Sequence, residues 1–230
     1  MSFWPQEWLP RDSRFRHVRI HSFGYNSDWS ERGESALHIH DFGKSLLGAM
    51  SDNVHLRGNR DSPIVFIGHS MGGLVIKKAC TLAQQDPVFQ NIRNRVQAIF
   101  FLGTPHRGAG LAQSLTNIVR ASGQGSKGFV ADLHKQSGFL QSINDDFRHC
   151  VEGIQLFSFY ETKPTNLVVG KEIVVPQDSA TLGYPQERTA LLNADHRGIA
   201  KFDTAEDPNF VTLREGFLTV IEYIKNECEC

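Results

Sequence analysis

Apolar residues fall along the chain in runs of two kinds, short dense blocks and longer stretches with helical spacing. Arg16 to Tyr25 alternates polar and apolar positions, which predicts a strand near a sheet edge. Ala36 to Met50 carries Leu37, Phe42, Leu46 and Leu47 on or near one face, as a helix would. Pro63 to Ile67 is a dense apolar block, and Leu74 onward keeps helical spacing to about Gln85, where Asp86-Pro87 stops it. Val96 to Leu102 is almost wholly apolar, the pattern of a central parallel strand covered on both faces. Helical stretches follow at Leu111–Ala121 and Gly128–Cys150, joined by Ser122-Gly123-Gln124-Gly125-Ser126, a composition that predicts a mobile connection. Ile154–Tyr160 reads as another strand, and Ile173–Val175 as a short apolar piece. The last helix begins at Asp207-Pro208, a cap followed by proline, and places Leu213, Phe217, Val220, Ile221 and Ile224 at helical spacing. Strands alternating with helices, without repeats, predict an α/β fold: a mostly parallel sheet wrapped by helices.

Between the block at Ile64 and the helix at Leu74 stands Gly68-His69-Ser70-Met71-Gly72. A serine hydroxyl is a poor nucleophile and must stand clear of the backbone where a base can reach it. A sharp strand-to-helix turn achieves this but crowds the chain, so positions two before and two after the serine need small residues. Gly68 and Gly72 meet that need, and Gly73 lets the helix approach the sheet. The helix N-terminus also directs free N–H groups at the serine. The pattern predicts a nucleophile elbow, against the plainer reading of a glycine turn whose serine caps a helix.

Composition narrows the classes. The 230 residues suit one domain, 1–230, and hydrophobic (40%) and charged (21%) contents are those of an ordinary globular protein. A formal net charge of -1 offers no electrostatic basis for nucleic-acid binding. No run is apolar enough to span a bilayer, and the first residues lack the features of a signal peptide. Four cysteines, with Cys80 inside a predicted helix, suggest no disulfide framework, so a cytoplasmic, reducing location is the expectation. Cys228-Glu229-Cys230 reads as a frayed end with free thiols rather than a lipidation signal. No Cys/His spacing suggests a metal and no phosphate-binding loop suggests a nucleotide, so no cofactor is expected.

The elbow is that of the α/β-hydrolase fold, in which the partners follow in the order serine, acid, histidine. Of ten histidines, only His196 lies beyond the strand that should carry the acid. The alternative for His196 is a surface residue capping a short helix. Glu161, after the strand 154–160, is the preferred acid, and Asp178 is the alternative. Asp195, next to His196, reads as a turn residue. The Met71 N–H is the expected oxyanion donor. His69, inside the elbow, and His106, in the loop Gly103–Gly108, are candidates for substrate contact; for His106 a hydrogen-bonded loop residue, with a local carboxylate as one partner it could take, is the preferred reading. Phe23, Tyr25 and Trp29 could line an acyl pocket, but with sixteen phenylalanines in the chain core packing is the plainer role.

Several segments in this order resemble the serine-esterase/lipase-like domain related to GPI inositol-deacylases. They are Phe3-Trp4-Pro5 with Trp8-Leu9-Pro10, Arg19-Ile20 with Phe23-Gly24-Tyr25, Asp41-Phe42, Gly68–Lys77, Phe100–Gly108, Phe159–Thr162, Val174–Ala180 and Ala194–Arg197. Fungal NACHT and ankyrin-repeat receptors carry such a domain, and mitochondrial proteins of phospholipid remodelling carry a related one. The resemblance implies Ser70 as nucleophile, His196 as base and a lipid-like or acyl ester as substrate, with peripheral membrane contact or a protein partner as further expectations. It leaves Glu161 and Asp178 open. Family members usually place a strand ending in a V-H-G-type loop before the tryptophan-rich segment. This sequence shows no such strand, so an N-terminally shortened domain with one oxyanion donor fewer is expected, with a weakened signalling or interaction module as the alternative to an esterase.

Overall fold

A computed structural model describes residues 3–25, 35–107, 110–122, 137–167 and 170–228. Trp29, residues 123–126, the first part of the helix expected at 128–150 and the terminal Glu229-Cys230 lie outside them, as does the side chain of Leu37. A parallel sheet of four strands, β1 (Ile64–His69), β2 (Val96–Leu102), β3 (Gln155–Glu161) and β6 (Glu187–Leu192), runs in the order β1-β2-β3-β6. Two-residue strands β4 (Thr165–Asn166) and β5 (Lys171–Glu172) form a separate antiparallel pair.

Because the sheet order advances in one direction, right-handed crossovers place their helices on one face. On that face α2 (Ser35–Asp52), α4 (Met71–Gln85) and α7 (Ser137–Arg148) cover the sheet, and Leu47, Val75, Ile76 and Phe147 pack with Ile99, Phe101 and Leu156. The long C-terminal helix α9 (Pro208–Cys228) covers the other face with Leu213, Phe217 and Val220. There Phe100 and Phe157, partners in the β2–β3 register, stack at 4.4 Å, and Phe217 meets Phe100 edge-on at 4.7 Å. Trp4, in the short helix α1 (Trp4–Glu7), extends this cluster onto Phe202, Phe210 and Phe217. Helices α3 (Val54–Gly58), α5 (Gln90–Arg95), α6 (Leu111–Ser122) and α8 (Gln177–Ala180) complete the described set.

The main expectations from hydrophobic pattern appear as elements, with their expected ends shifted by no more than three residues: β1, β2, β3, α2, α4, α6 and α9. The strand expected at 16–25 does not form. Those residues are irregular, Val18 and Ile20 are exposed, and Val18 N–H bonds only to the Phe15 carbonyl of the preceding turn. A strand needs a ladder as well as alternation, and β1 has no partner on its outer edge among the described residues. The covering helix α9 packs over β2, β3 and β6, which leaves Val65 and Ile67 of β1 at 36% and 43% exposure.

Candidate active site

Ser70 connects β1 directly to α4 and takes φ 54°, ψ −125°, a positive φ found at no other non-glycine among the described residues. A side chain in that region costs about 1–3 kcal/mol and persists where surrounding structure enforces it. The enforcement is visible on both sides. The Ser70 N–H donates to the Leu102 carbonyl at 2.9 Å, extending the β1–β2 ladder by one residue. A Cβ on Gly68 would stand 2.8 Å from the Gly73 backbone, and one on Gly73 would stand 2.2 Å from Thr104 Oγ1. The turn closes only because both are glycine. At Gly72 the nearest atom to such a Cβ is the Tyr25 hydroxyl oxygen, at 3.8 Å, so that position tolerates a methyl group sterically.

The loop after β6 brings His196 over this turn. Thr165 Oγ1 accepts the His196 N–H at 3.0 Å, and Asp195 turns the loop by accepting the Gly198 N–H at 2.8 Å. Arg197 reaches across to the Ala121 carbonyl with Nε at 2.8 Å. His69 Nε2 lies 3.0 Å from the His196 carbonyl and donates to it, which sets the His69 tautomer. Surrounding protein, and then His196, push the His69 ring down to about 4, so it is neutral at pH 7 although part of the residue faces solvent. His69 therefore holds the histidine loop rather than standing free.

His196 is 4% exposed and sits between two groups. Its Nδ1 is 2.6 Å from Glu161 Oε2, and its Nε2 is 2.9 Å from Ser70 Oγ. A carboxylate oxygen only accepts, so Nδ1 carries the proton and Nε2 is left to accept from the serine hydroxyl. Glu161, the last residue of β3, is 3% exposed, and its Oε1 accepts the N–H groups of Val174 at 2.6 Å and Val175 at 3.1 Å. The apolar piece at 173–175 is thus a loop whose amides clamp the carboxylate, a role that apolar side chains give no hint of. Gly103 at the end of β2 passes beneath this pair, with room for a Cβ only 3.2 Å from the His196 ring.

Asp178 stands elsewhere. It lies in the first turn of α8 and accepts the Ser179 N–H at 3.0 Å. His106 is 1% exposed, packed edge-on against Phe101 at 4.7 Å, and neither ring nitrogen has a hydrogen-bond partner among the described residues. A ring enclosed in this way offers no nitrogen to a substrate, and the hydrogen-bonded loop role expected for it finds no partner, carboxylate or other, among the described residues. Burial, reinforced by Lys77, pushes its pKa well below the usual imidazole range. Lys77 is itself fully buried, with Nζ 2.6 Å from Asn144 Oδ1 and 5.4 and 5.3 Å from the Phe101 and Phe147 ring centres. Read as helix pattern alone, Lys77-Lys78 looks solvated. The Met71 N–H, at the start of α4, is one of the donors a helix leaves unpaired. Among the described residues no group of three or more metal-ligating side chains occurs, and no helix is long and apolar enough to cross a membrane.

A parallel sheet with a strained serine between strand and helix, faced by a histidine and a carboxylate, defines an α/β-hydrolase-like domain. The PGAP1-like alpha/beta domain family matches residues 8–124, and the chain belongs to it. Curated relatives include Protein SERAC1 of Bos taurus, 35% identical over 193 residues, covering 78% of this chain and 27% of that protein. The Homo sapiens protein is 34% identical with the same coverage, and the Danio rerio protein is 30% identical over 209 residues, covering 86% of this chain and 30% of that one. The chain thus spans about a quarter to a third of the curated relatives it matches. Among solved structures, a lipase-esterase related protein from Clostridium acetobutylicum ATCC 824 aligns at a TM-score of 0.40 and 12% identity, covering 91% of this chain and 79% of that one.

Proposed function

We propose that the protein is a serine hydrolase of carboxylic esters, with Ser70 as nucleophile, His196 as general base and Glu161 as the orienting carboxylate. The observation that carries this reading is the unbroken hydrogen-bond chain from Ser70 Oγ through His196 to Glu161, buried at its base and anchored by the amides of Val174 and Val175. In the first half-reaction Ser70 Oγ attacks the acyl carbon while His196 Nε2 takes its proton. The carbonyl π electrons move onto oxygen, where the Met71 N–H meets them. Collapse expels the alcohol, which takes the proton back from His196 and leaves an acyl-serine. Water then repeats the sequence and frees the acid. Glu161 keeps the proton on Nδ1 throughout and stabilises the imidazolium. Kinship with lipase-like domains favours lipid-like or acyl esters over small polar ones.

Labelling with a fluorophosphonate probe tests this directly. The expected result is covalent modification of the folded protein that is lost in Ser70→Ala. Folded protein that never takes the label would end the enzyme reading.

One observation favours a second reading, a weakly active signalling or interaction module. The outer edge of β1 has no neighbouring strand among the described residues, and none of those residues pairs there to present a second backbone N–H to the oxyanion. Turnover of short p-nitrophenyl esters separates the two, since a module of this kind would hydrolyse them at a rate close to that of Ser70→Ala, whereas an esterase would exceed it by orders of magnitude.

A further inference from the structure

We propose that the Tyr25 hydroxyl is a further catalytic group, donating a hydrogen bond to the carbonyl oxygen of the bound acyl group alongside the Met71 N–H. This rests on the reading of Ser70 as nucleophile and adds a second donor to the same site.

The placement follows from the glycines of the elbow. Successive helix positions are about 100° apart round the axis. Gly73 faces Thr104 at the end of β2, on the side of the turn from which Gly103 and His196 approach. Gly72, one step round the helix, faces Tyr25, whose hydroxyl oxygen lies 3.8 Å from where a Cβ of residue 72 would stand. Gly72 directly follows Met71, so the phenol lies beside the N-terminus of α4, about 100° round the helix from the Thr104 side. A carbonyl attacked by Ser70 directs its oxygen away from the imidazole that takes the serine proton and toward the Met71 N–H, the end of the helix beside which this phenol stands.

The hydroxyl is available for that role. The Tyr25 ring is half-buried, packed at 4.4 Å on Phe42 and at 6.1 Å on Phe23, which fixes its position. Among the described residues its oxygen has no hydrogen-bond partner, and the residue is half-buried rather than enclosed. Packing around the ring raises its pKa, so the phenol stays protonated and can donate across the working pH range. An oxyanion needs preorganised donors, and a hydroxyl on a clamped aromatic ring supplies one without a neighbouring strand.

Tyr25→Phe removes one oxygen atom and leaves the packing on Phe42 intact. The measurements are kcat and KM on a p-nitrophenyl ester, the inhibition constant of a trifluoromethyl ketone and the melting temperature. A trifluoromethyl ketone adds to the serine and forms a stable oxyanion, so it reports donors that substrate binding does not. The expected result is a kcat lower by about 100-fold, a ketone weaker by a similar factor, a KM within about threefold and an unchanged melting temperature. A kcat close to wild type would overturn the proposal. So would a loss carried mainly by KM with the ketone unaffected, because that marks the ring as a wall of the pocket. Fluorophosphonate labelling of the wild type at Ser70 stands as the separate check: if it is absent, the nucleophile reading fails and this one with it, whereas a labelled wild type with an unaffected Tyr25→Phe removes Tyr25 alone.

Discussion

Glu161 and His196 meet at 2.6 Å, Oε2 against Nδ1, while the other oxygen of the same carboxylate receives two backbone amides from Val174 and Val175. The amides hold the carboxylate in one rotamer, and the carboxylate in turn holds the imidazole tautomer. Asp178 has neither contact, and among the described residues it bonds only to the next residue of its own turn. Glu161→Gln presents an amide that cannot accept at both ends, so His196 is driven toward the wrong tautomer. The expected loss in kcat is about 10⁴-fold, as when the orienting carboxylate of a serine protease is neutralised. Asp178→Asn keeps turnover near wild type and costs at most about 1 kcal/mol, the value of a turn-capping contact. Steady-state kinetics on one ester, with thermal melts of both variants, checks the pair. The reverse outcome would move the acid to Asp178.

The elbow glycines are not equivalent. A methyl group at Gly73 collides with the whole Thr104 side chain, at 2.2 Å from Oγ1 and 2.5 Å from Cγ2, and Thr104 is itself fully buried. Gly73→Ala is expected to lower stability by about 1–3 kcal/mol, as overpacking does, and to pull Ser70 away from His196. Gly72→Ala meets only the Tyr25 hydroxyl at van der Waals distance and is expected to melt like wild type. Denaturant melts of the two alanine variants measure the difference. Equal stability of both would mean that the helix shifts to absorb the methyl group.

Hydrophobic pattern carried the parallel strands and the long helices because burial on both faces writes continuous apolar runs. It failed where burial is one-sided. β6 reads Glu187-Arg188-Thr189-Ala190-Leu191-Leu192, with two charges at its start, and was not anticipated because an edge strand needs no apolar run. Arg16–Tyr25 erred the other way, since alternation shows only that a segment could pair, and pairing depends on a neighbour. Ser70 and His196 follow from local motif and chain order. Glu161 against Asp178 could not be decided from order, because proximity to His196 is created by β3 and β6 lying side by side in the sheet. The amide clamp at Val174 and Val175 leaves no side-chain signature. Nor do the enclosed positions of Lys77 and His106, since a basic residue on a helix or loop reads as solvated until a second layer is seen to cover it.

Burial of His106 makes acid stability measurable. Its folded pKa lies well below the ordinary 6.5, so below that value the unfolded chain binds a proton that the folded ring refuses. The neutral ring's contribution is complete above pH 6.5 and is lost as the pH falls toward the folded pKa. His69, lowered to about 4 but exposed at its surface, contributes less and with the same sign over this interval. Unfolding free energy should therefore decline steadily as the pH falls below about 6.5. His106→Phe keeps a ring against Phe101 and removes one of the two titrations, so its stability should fall less steeply over the same interval. Urea melts at half-unit steps from pH 7 to pH 4 give both slopes. Parallel curves for the variant and the wild type would show that His106 takes up its proton without unfolding.

Among the described residues β1 has an uncovered face and an unpaired outer edge, which predicts self-association. Val65 and Ile67 stand 36% and 43% exposed on a strand whose outer backbone groups have no partner strand among the described residues. An apolar strand edge in that state is a template for another strand, and a charge placed on it blocks the approach. Ile67→Lys directs its ammonium into solvent, and its alkyl stem can lie over the surface that isoleucine covered. The change should cost no more than about 0.5 kcal/mol, as for a surface substitution, while raising the protein concentration at which light scattering appears on warming. Ile67 pairs in register with Phe100, two residues before the strand end and clear of the Ser70–His196 contact. Ester turnover should consequently stay at the wild-type level in Ile67→Lys. A lysine variant that scatters at the same concentration as wild type would place the sticky surface elsewhere. One that loses several kcal/mol would mean that Ile67 is covered in solution by a part of the chain outside the described residues.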